Sequence, residues 1–369
     1  MMSSRHPEPG IEVESTEELD ALLAQGISPR RLRLQDLDLT GYTGLDSRTD
    51  LDELVVLGGR LSPSLDAHLR AHGAIVFPDD PDATPVRPYR AHLYTAEELY
   101  AGLVDGYAET TDALAYDWYQ NSQRHPDVFS ALLQAIHDDS ISDALAEFVD
   151  GHAVVGVMGG HALQRGTAAY AAAARLGFHL AEHGFLVVTG GGPGAMEAAN
   201  LGAAAYGADQ LDAALAIVAE VPSFVPDIGA WADAGMRAKA VLRPVSGQPV
   251  PRSLGIPTWF YGHEPPNVFA QGIAKYFSNA IREDWLLAHA AAGVVVLPGA
   301  AGTVQEIFQF ATRAYYASET PPPLVIVDSG HWRDTLPVWP LIQALAAGRA
   351  MADRVTLVDS VEDAVAYLT

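Results

Sequence analysis

The 369-residue sequence predicts an α/β protein: a doubly wound parallel sheet, preceded by an N-terminal accessory region of α+β and helical character. Three observations carry this. From Ala153 onward the runs AVVGVM, FLVVTG, AALAIVAE, IPTWFYG, GVVVLPG, PLVIVD and VTLV are continuously apolar, as strands buried on both faces are. Helical patterns separate most of them. Two of the runs also end in glycine-rich turns that open helices, and ligands of such sheets bind beyond the C-terminal ends of the strands.

Residues 1–150 form the accessory region and 151–369 the α/β domain, with the boundary at Gly151. The first fifteen residues are polar and irregular. A helix follows near Thr16 to Ala24, then the β-like runs RLRLQDLDLT and LDELVVLGG, then a helix from about Ser62 to His72. FPDDPDATPVRPYR is dense in Pro and Asp and reads as a connector. Thr95 to Val149 reads as helical, with Leu99, Leu103 and Tyr107 on one face and Leu132, Leu133 and Ile136 on another. Tyr116, Trp118 and Tyr119 in that stretch suit core packing. In the second domain a helix is expected from about Val268 to His289, feeding the strand GVVVLPG.

Lys and Arg number 22 and Asp and Glu 46, a formal charge of −24. That repels polyanions, so neither a nucleic-acid polymer nor an anionic membrane is an expected partner. One small phosphate is still compatible, since a few backbone N–H groups make a locally positive pocket. The chain has no cysteine, which removes disulfides, thiolate nucleophiles and Cys-based metal sites. The start MMSSRHPEPGIEVES lacks an apolar signal core, and no run is long and apolar enough to span a membrane, so a cytoplasmic location is expected. One stretch departs from the acidic balance: Ala234 to His263 has no Asp or Glu yet carries Arg237, Lys239, Arg243 and Arg252. It suits an anion-facing lid or a solvated or subunit-contacting loop equally.

The first glycine-rich turn is TGGGPGAMEAAN, Thr189 to Asn200. Consecutive glycines allow a sharp turn and close ligand approach, and the helix opening after Pro193 favours an anion. A dinucleotide fingerprint can be forced onto Gly190, Gly192 and Ala195, but it belongs at the first βα turn, which here reads MGGH, Met158 to His161. The second turn is LPGAAGTVQE, Leu297 to Glu306. It suits a monophosphate, but Thr303-x-x-Glu306 is formally a capping box in which both side chains only satisfy backbone N–H groups, and the pattern alone favours the cap. Arg282, in FSNAIREDW, reads as either a site cation or a surface partner of Glu283 or Asp284. His161 is a ligand contact or a turn residue. His179 and His183 have helical spacing in HLAEH but no third ligand, so no metal is expected. Only Lys239 and Lys275 occur after residue 150, which gives no case for pyridoxal phosphate, and no cofactor is expected.

Taken together and in this order, these motifs resemble the LOG family, often mislabelled lysine decarboxylases, and within it the bacterial pyrimidine/purine nucleotide 5′-monophosphate nucleosidases. The shared residues are MGGH at 158–161, GPGAME at 192–197, EPPN at 264–267, Arg282, and the P-G-x-x-G-T-x-x-E run from Pro298 to Glu306. The resemblance covers about Gly151 to Thr369 and implies a Rossmann-like phosphoribohydrolase that cleaves nucleoside 5′-monophosphates to base and ribose 5-phosphate. It implies that Glu306 faces the anomeric carbon, where a carboxylate stabilises oxocarbenium charge or deprotonates water, and that Arg282 orients the phosphate, Glu306 or the leaving base. Gly299, Gly302 and Thr303 would hold the 5′-phosphate. Gly159, Gly160, His161, Gly191, Gly192, Gly194, Glu197, Glu264 and Asn267 would line the substrate site. A homodimer or larger assembly is implied as well. The alternative is a non-catalytic nucleotide- or cofactor-binding carrier of the same fold. The family's second motif glycine is Ala300 here, a change that is strained if the turn needs φ > 0.

Overall fold

The computed structural model describes residues 11–77, 84–244, 252–262 and 264–369. The chain forms two compact units, Met1–His92 with Asp127–Ala144, and Leu93–Pro126 with Leu145–Thr369. Residues 93–126 therefore group with the large α/β unit, not with the residues that precede them.

In the first unit the order is β1 (Glu12–Val13), α1 (Thr16–Ala24), β2 (Arg33–Gln35), β3 (Asp38–Leu39), β4 (Val55–Leu57), β5 (Arg60–Leu61), α2 (Pro63–Ala71) and β6 (Ile75–Val76). A parallel sheet runs β1-β2-β4-β6, and β3 pairs with β5. Both helices begin where a serine caps them, Ser15 and Ser62. Val13, Leu19, Leu34, Leu54, Val56, Leu65 and Leu69 close the core.

The second unit opens with α3 (Ala96–Leu99) and α4 (Thr111–Arg124), and takes the end of α5 (Val128–Val149). The continuous helix expected from Thr95 is broken: Gly102 (φ 94°) and Gly106 (φ 119°) turn the chain through two 3-10 turns before Thr110 caps α4. Then follow β7 (Ala153–Met158), α6 (Ala168–Glu182), β8 (Phe185–Thr189), α7 (Ala195–Ala204), α8 (Ala208–Val218), α9 (Ile228–Lys239), β9 (Ser253–Gly255), β10 (Gly272–Ile273), α10 (Asn279–His289), β11 (Gly293–Val296), α11 (Ala301–Tyr316), β12 (Leu324–Val327), α12 (Trp339–Ala346), β13 (Val355–Val358) and α13 (Val361–Leu368). The sheet is parallel throughout, in the order β10-β9-β8-β7-β11-β12-β13. This is the doubly wound, Rossmann-like arrangement.

Three expectations need correction. AALAIVAE is not a strand; it is mostly α8, whose alanines favour a helix and whose Leu211, Ala214 and Val218 form its buried face. IPTWFYG is a loop, and the strand there is the preceding Ser253–Gly255. Val268 to Phe277 is not helical: nearly every side chain is buried, so no polar face exists, and the helix starts only after its cap, Ser278.

Helices α6 and α7 meet through glycines. A Cβ on Gly202 would lie 1.7 Å from the Ala174 carbonyl oxygen, and one on Gly177 2.0 Å from that of Ala199. The two backbones are in direct contact. Gly202→Ala must push the helices apart, and is expected to cost about 1–3 kcal/mol, read as a lowered thermal midpoint.

Strand β7 leads to β8 on one side of the sheet and β11 to β12 on the other. Their neighbouring C-terminal ends form the topological switch point, the ordinary ligand crevice of such sheets. There Gly160 N–H donates to the Pro298 carbonyl at 3.0 Å, tying the MGGH turn to the second glycine-rich turn.

Candidate active site

The second turn is shaped around Gly299. A Cβ there would fall 2.2 Å from the Thr303 hydroxyl, so only glycine leaves room for that side chain. The Gly299 carbonyl accepts from His331 Nε2 at 3.0 Å. His331 lies just beyond β12, and no motif marked it; its place after the strand next to the switch point was the one available signal. A Cβ on Gly302 would meet nothing within 4 Å, so packing does not require glycine there, and the space above the first turn of α11 is open.

The helix begins at Ala300, with no side chain capping it. The capping-box reading of Thr303 and Glu306 is thereby set aside, because Thr303 sits inside the helix and no side chain occupies its opening. The 16 aligned peptide units of α11 end in N–H groups that face the crevice. Ala300 has φ −120°, an ordinary value for any L-residue. The methyl group is exposed and unstrained, so Ala300→Gly is expected to change stability by no more than about 0.5 kcal/mol, read from denaturant unfolding, and to leave ligand affinity unchanged, measured by calorimetry.

Glu306 stands one turn further along α11, with a side chain 13% exposed and its Oε1 3.5 Å from Arg282 Nη1. Burial pushes its carboxyl up from 4.5 to about 6; the Arg282 charge opposes that shift, and Glu283 and Glu264 add to it. Arg282 comes from α10 and is buried. Its Nε donates to the Ile256 carbonyl at 2.8 Å and its Nη2 to that of Gly190 at 3.5 Å. A Cβ on Gly190 would collide with the guanidinium at 2.3 Å, so the first glycine of the GGG turn makes the seat for Arg282. Arg282 is no surface ion pair. Its neighbour Glu283 lies 3.9 Å away and is also buried, accepting from Asn279 Nδ2 at 2.8 Å and Gln305 Nε2 at 2.7 Å. Asn279 and Gln305 were not singled out from sequence, and Glu283 was read only as a surface partner of Arg282.

The GGG turn is fixed from below. Thr189 Oγ1 accepts from Gly191 N–H at 2.9 Å and donates to Asn200 Oδ1 at 2.6 Å. Asn267 donates its backbone N–H to the Gly191 carbonyl at 2.8 Å and its amide to Asn200 at 2.9 Å. Gly191 and Gly194 take φ of 70° and 73°, which explains those glycines. Asn267 is thus a buried brace of the turn. Glu264 comes over the turn from the same EPPN segment; its Oε1 lies 3.0 Å from His161 Nδ1. Gly159 packs on the start of α7, where a Cβ would be 2.8 Å from that of Ala195.

Glu197 is placed differently. It is fully buried, and Arg165 takes both of its oxygens, Nε donating to Oε2 at 3.0 Å and Nη2 to Oε1. Arg165 also lies 4.3 Å over the Trp231 ring. A cavity of about 250 Å³, open to solvent, is lined there by His161, Gly194, Glu197, Phe224 and Trp231 among others; Arg282 and Glu306 do not line it.

The acid-free stretch lies partly outside the described residues, at 245–251 and His263. Of its basic groups, Arg237 pairs with Glu220 and Asp233, Lys239 with Glu97, and Arg252 lies over the Tyr206 ring. Among the described residues no cluster of three or more His, Asp or Glu could hold a metal, and no helix is long and apolar enough to cross a membrane. His183 Nδ1 bonds back to the His179 carbonyl at 2.8 Å. Residues 1–10 and 78–83, in the expected irregular start and connector, lie outside the described residues as well.

A parallel sheet with two glycine-rich helix openings beside its switch point, and an acid and an arginine near them, defines a Rossmann-like domain. Two family models match it: "Possible lysine decarboxylase" over residues 235–368 and "SLOG cluster4 family" over residues 152–211. Together they support a LOG-like family for this chain. Among solved structures, the chain is similar to a molybdenum cofactor binding protein from Rippkaea orientalis (17% identity, 59% of this chain and 96% of that one, TM-score 0.37). It is also similar to a molybdenum cofactor carrier protein from Chlamydomonas reinhardtii (18% identity, 59% and 96%, TM-score 0.35). No match was found among curated proteins.

Proposed function

We propose that this protein hydrolyses the N-glycosidic bond of nucleoside 5′-monophosphates, giving free base and ribose 5-phosphate. One observation carries the reading: a largely buried acid with a carboxyl raised to about 6, Glu306, held 3.5 Å from a buried Arg282 beside an uncapped helix opening. A helix opening binds a phosphate without spending a side chain. A phosphate at Gly299 to Thr303 puts the sugar of the same molecule within reach of α11's second turn. The bond to the base lengthens as C1′ gains positive charge. The Glu306 carboxylate stabilises that charge or takes a proton from the attacking water. Arg282 keeps Glu306 ionised and oriented. His161, paired with Glu264, faces the opposite turn and is suited to the sugar hydroxyls or the leaving base.

The protein acts in this reading as a cytoplasmic homodimer or larger assembly, with Ile281 of α10 and Tyr316 of α11 as exposed apolar contacts; light scattering at micromolar concentration tests the assembly. For the activity, the full chain is incubated with AMP, GMP, CMP, UMP and IMP and free base is measured. Release from at least one is expected. Tight binding with the ligand recovered intact would instead identify a carrier.

A further inference from the structure

Among the described residues from Ser253 to Phe277, only Phe260 and Tyr261 are exposed, at 53% and 37%. They are adjacent aromatics, their rings 5.1 Å apart and nearly perpendicular. The loop that carries them is firmly held. Trp259 N–H donates to the Tyr276 carbonyl at 2.9 Å, and the Trp259 ring stacks on Phe277 at 4.5 Å. Its indole N–H donates to the buried Asp112 at 2.9 Å. Gly262 lies directly against the Tyr116 ring, and Tyr100 O–H donates to the Pro266 carbonyl at 2.6 Å. Two aromatic rings are thus kept in solvent by a rigid support, at the cost of leaving apolar surface wet.

Tyr261 also connects to the crevice. Tyr261 O–H accepts from Asn279 Nδ2 at 3.4 Å, and the same amide donates to Glu283, which neighbours Arg282, which neighbours Glu306. Burial and the Glu283 carboxylate push the Tyr261 phenol up, against the Arg282 charge and the Asn279 hydrogen bond, with a smaller upward push from Glu264.

We propose that Phe260 and Tyr261 are the platform on which the nucleobase of the bound nucleotide stacks. The inference rests on the nucleotide reading above and extends it to a base-recognition subsite. Stacking on an aromatic face tolerates any base, so the platform selects a nucleotide over a sugar phosphate and not one base over another. The second aromatic cavity is less suited: Arg165 covers the Trp231 face, Arg165 and Glu197 satisfy each other, and the acid and arginine of the crevice are not in its lining.

The test is calorimetry on the full chain carrying Glu306→Gln, so that ligand persists, with GMP and ribose 5-phosphate as probes. Phe260→Ala and Tyr261→Ala should each weaken GMP binding about tenfold and leave ribose 5-phosphate unchanged. Tyr261→Phe should retain the GMP affinity, and Phe224→Ala should alter neither. Unchanged GMP affinity in both alanine variants, equal losses for the two probes, or a GMP-selective loss in Phe224→Ala would each overturn the platform alone. If the Glu306→Gln parent binds neither probe, the nucleotide reading fails and takes the platform with it.

Discussion

Glu306→Gln should reduce base release from a nucleoside monophosphate by about 10²–10⁴-fold while keeping the nucleotide bound. The change preserves shape and removes the charge that the reaction needs. In the parent protein the working form is the carboxylate, so kcat should fall as pH drops through about 6, the value to which burial raises this group. The stability effect has the opposite sign. A carboxyl raised from 4.5 to about 6 penalises the folded state only when ionised: the penalty is absent below 4.5 and complete above about 6. At pH 7 it amounts to about 2 kcal/mol, as an upper figure, since Arg282 loses a partner in the variant. The thermal midpoint of Glu306→Gln should therefore equal or exceed that of the parent at pH 7, and lose any advantage at pH 4.5. A variant that turns over at the parental rate would remove Glu306 from the chemistry.

Asp112→Ala should destabilise the α/β unit by about 3–5 kcal/mol, the usual consequence of removing one member of a buried ion pair. Asp112 Oδ1 accepts from Lys275 Nζ and Trp259 Nε1, and Oδ2 from Tyr107 O–H at 2.9 Å. Asp112 and Lys275 are both about 2% exposed, and burial lowers the lysine's pKa. The single substitution strands the ammonium. Asp112→Ala with Lys275→Met removes both charges and should recover much of the loss. Denaturant midpoints of the two variants and the parent decide it; a single variant as stable as the parent would show that the network contributes little.

The sequence made the sheet legible where its strands were long. AVVGVM, FLVVTG, GVVVLPG, PLVIVD and VTLV each contain a strand, because short, mostly apolar runs rich in Val and bounded by turn or polar residues have few other uses. It concealed β9 and β10, which are three and two residues long and lie in a stretch buried on all sides. The helix α8 was misread for a related reason: Ala, Leu, Ile and Val fill a helix next to the core as readily as a strand. Of the candidate site, the glycine turns were legible because glycine marks a backbone constraint. Glu197 shows the limit. Its place in GPGAME gave no hint of Arg165, whose pairing depends on a loop 32 residues earlier in the chain. Asn279, Glu283 and Gln305 sit inside the quoted segments without a role of their own there, His331 lies in none, and only the crossing of α10, α11 and the end of β12 brings them to one crevice.

The backbone contact between α6 and α7 has a consequence for how this helix pair tolerates substitution. The spacing of α7 from α6 is set by main-chain atoms at Gly177 and Gly202, and not by the bulk of variable side chains. A substitution on the outer surface of α6 then leaves the distance between the two helices unchanged. The two glycines set the tolerance of this helix pair, and a side chain at either one forces the helices to a new separation.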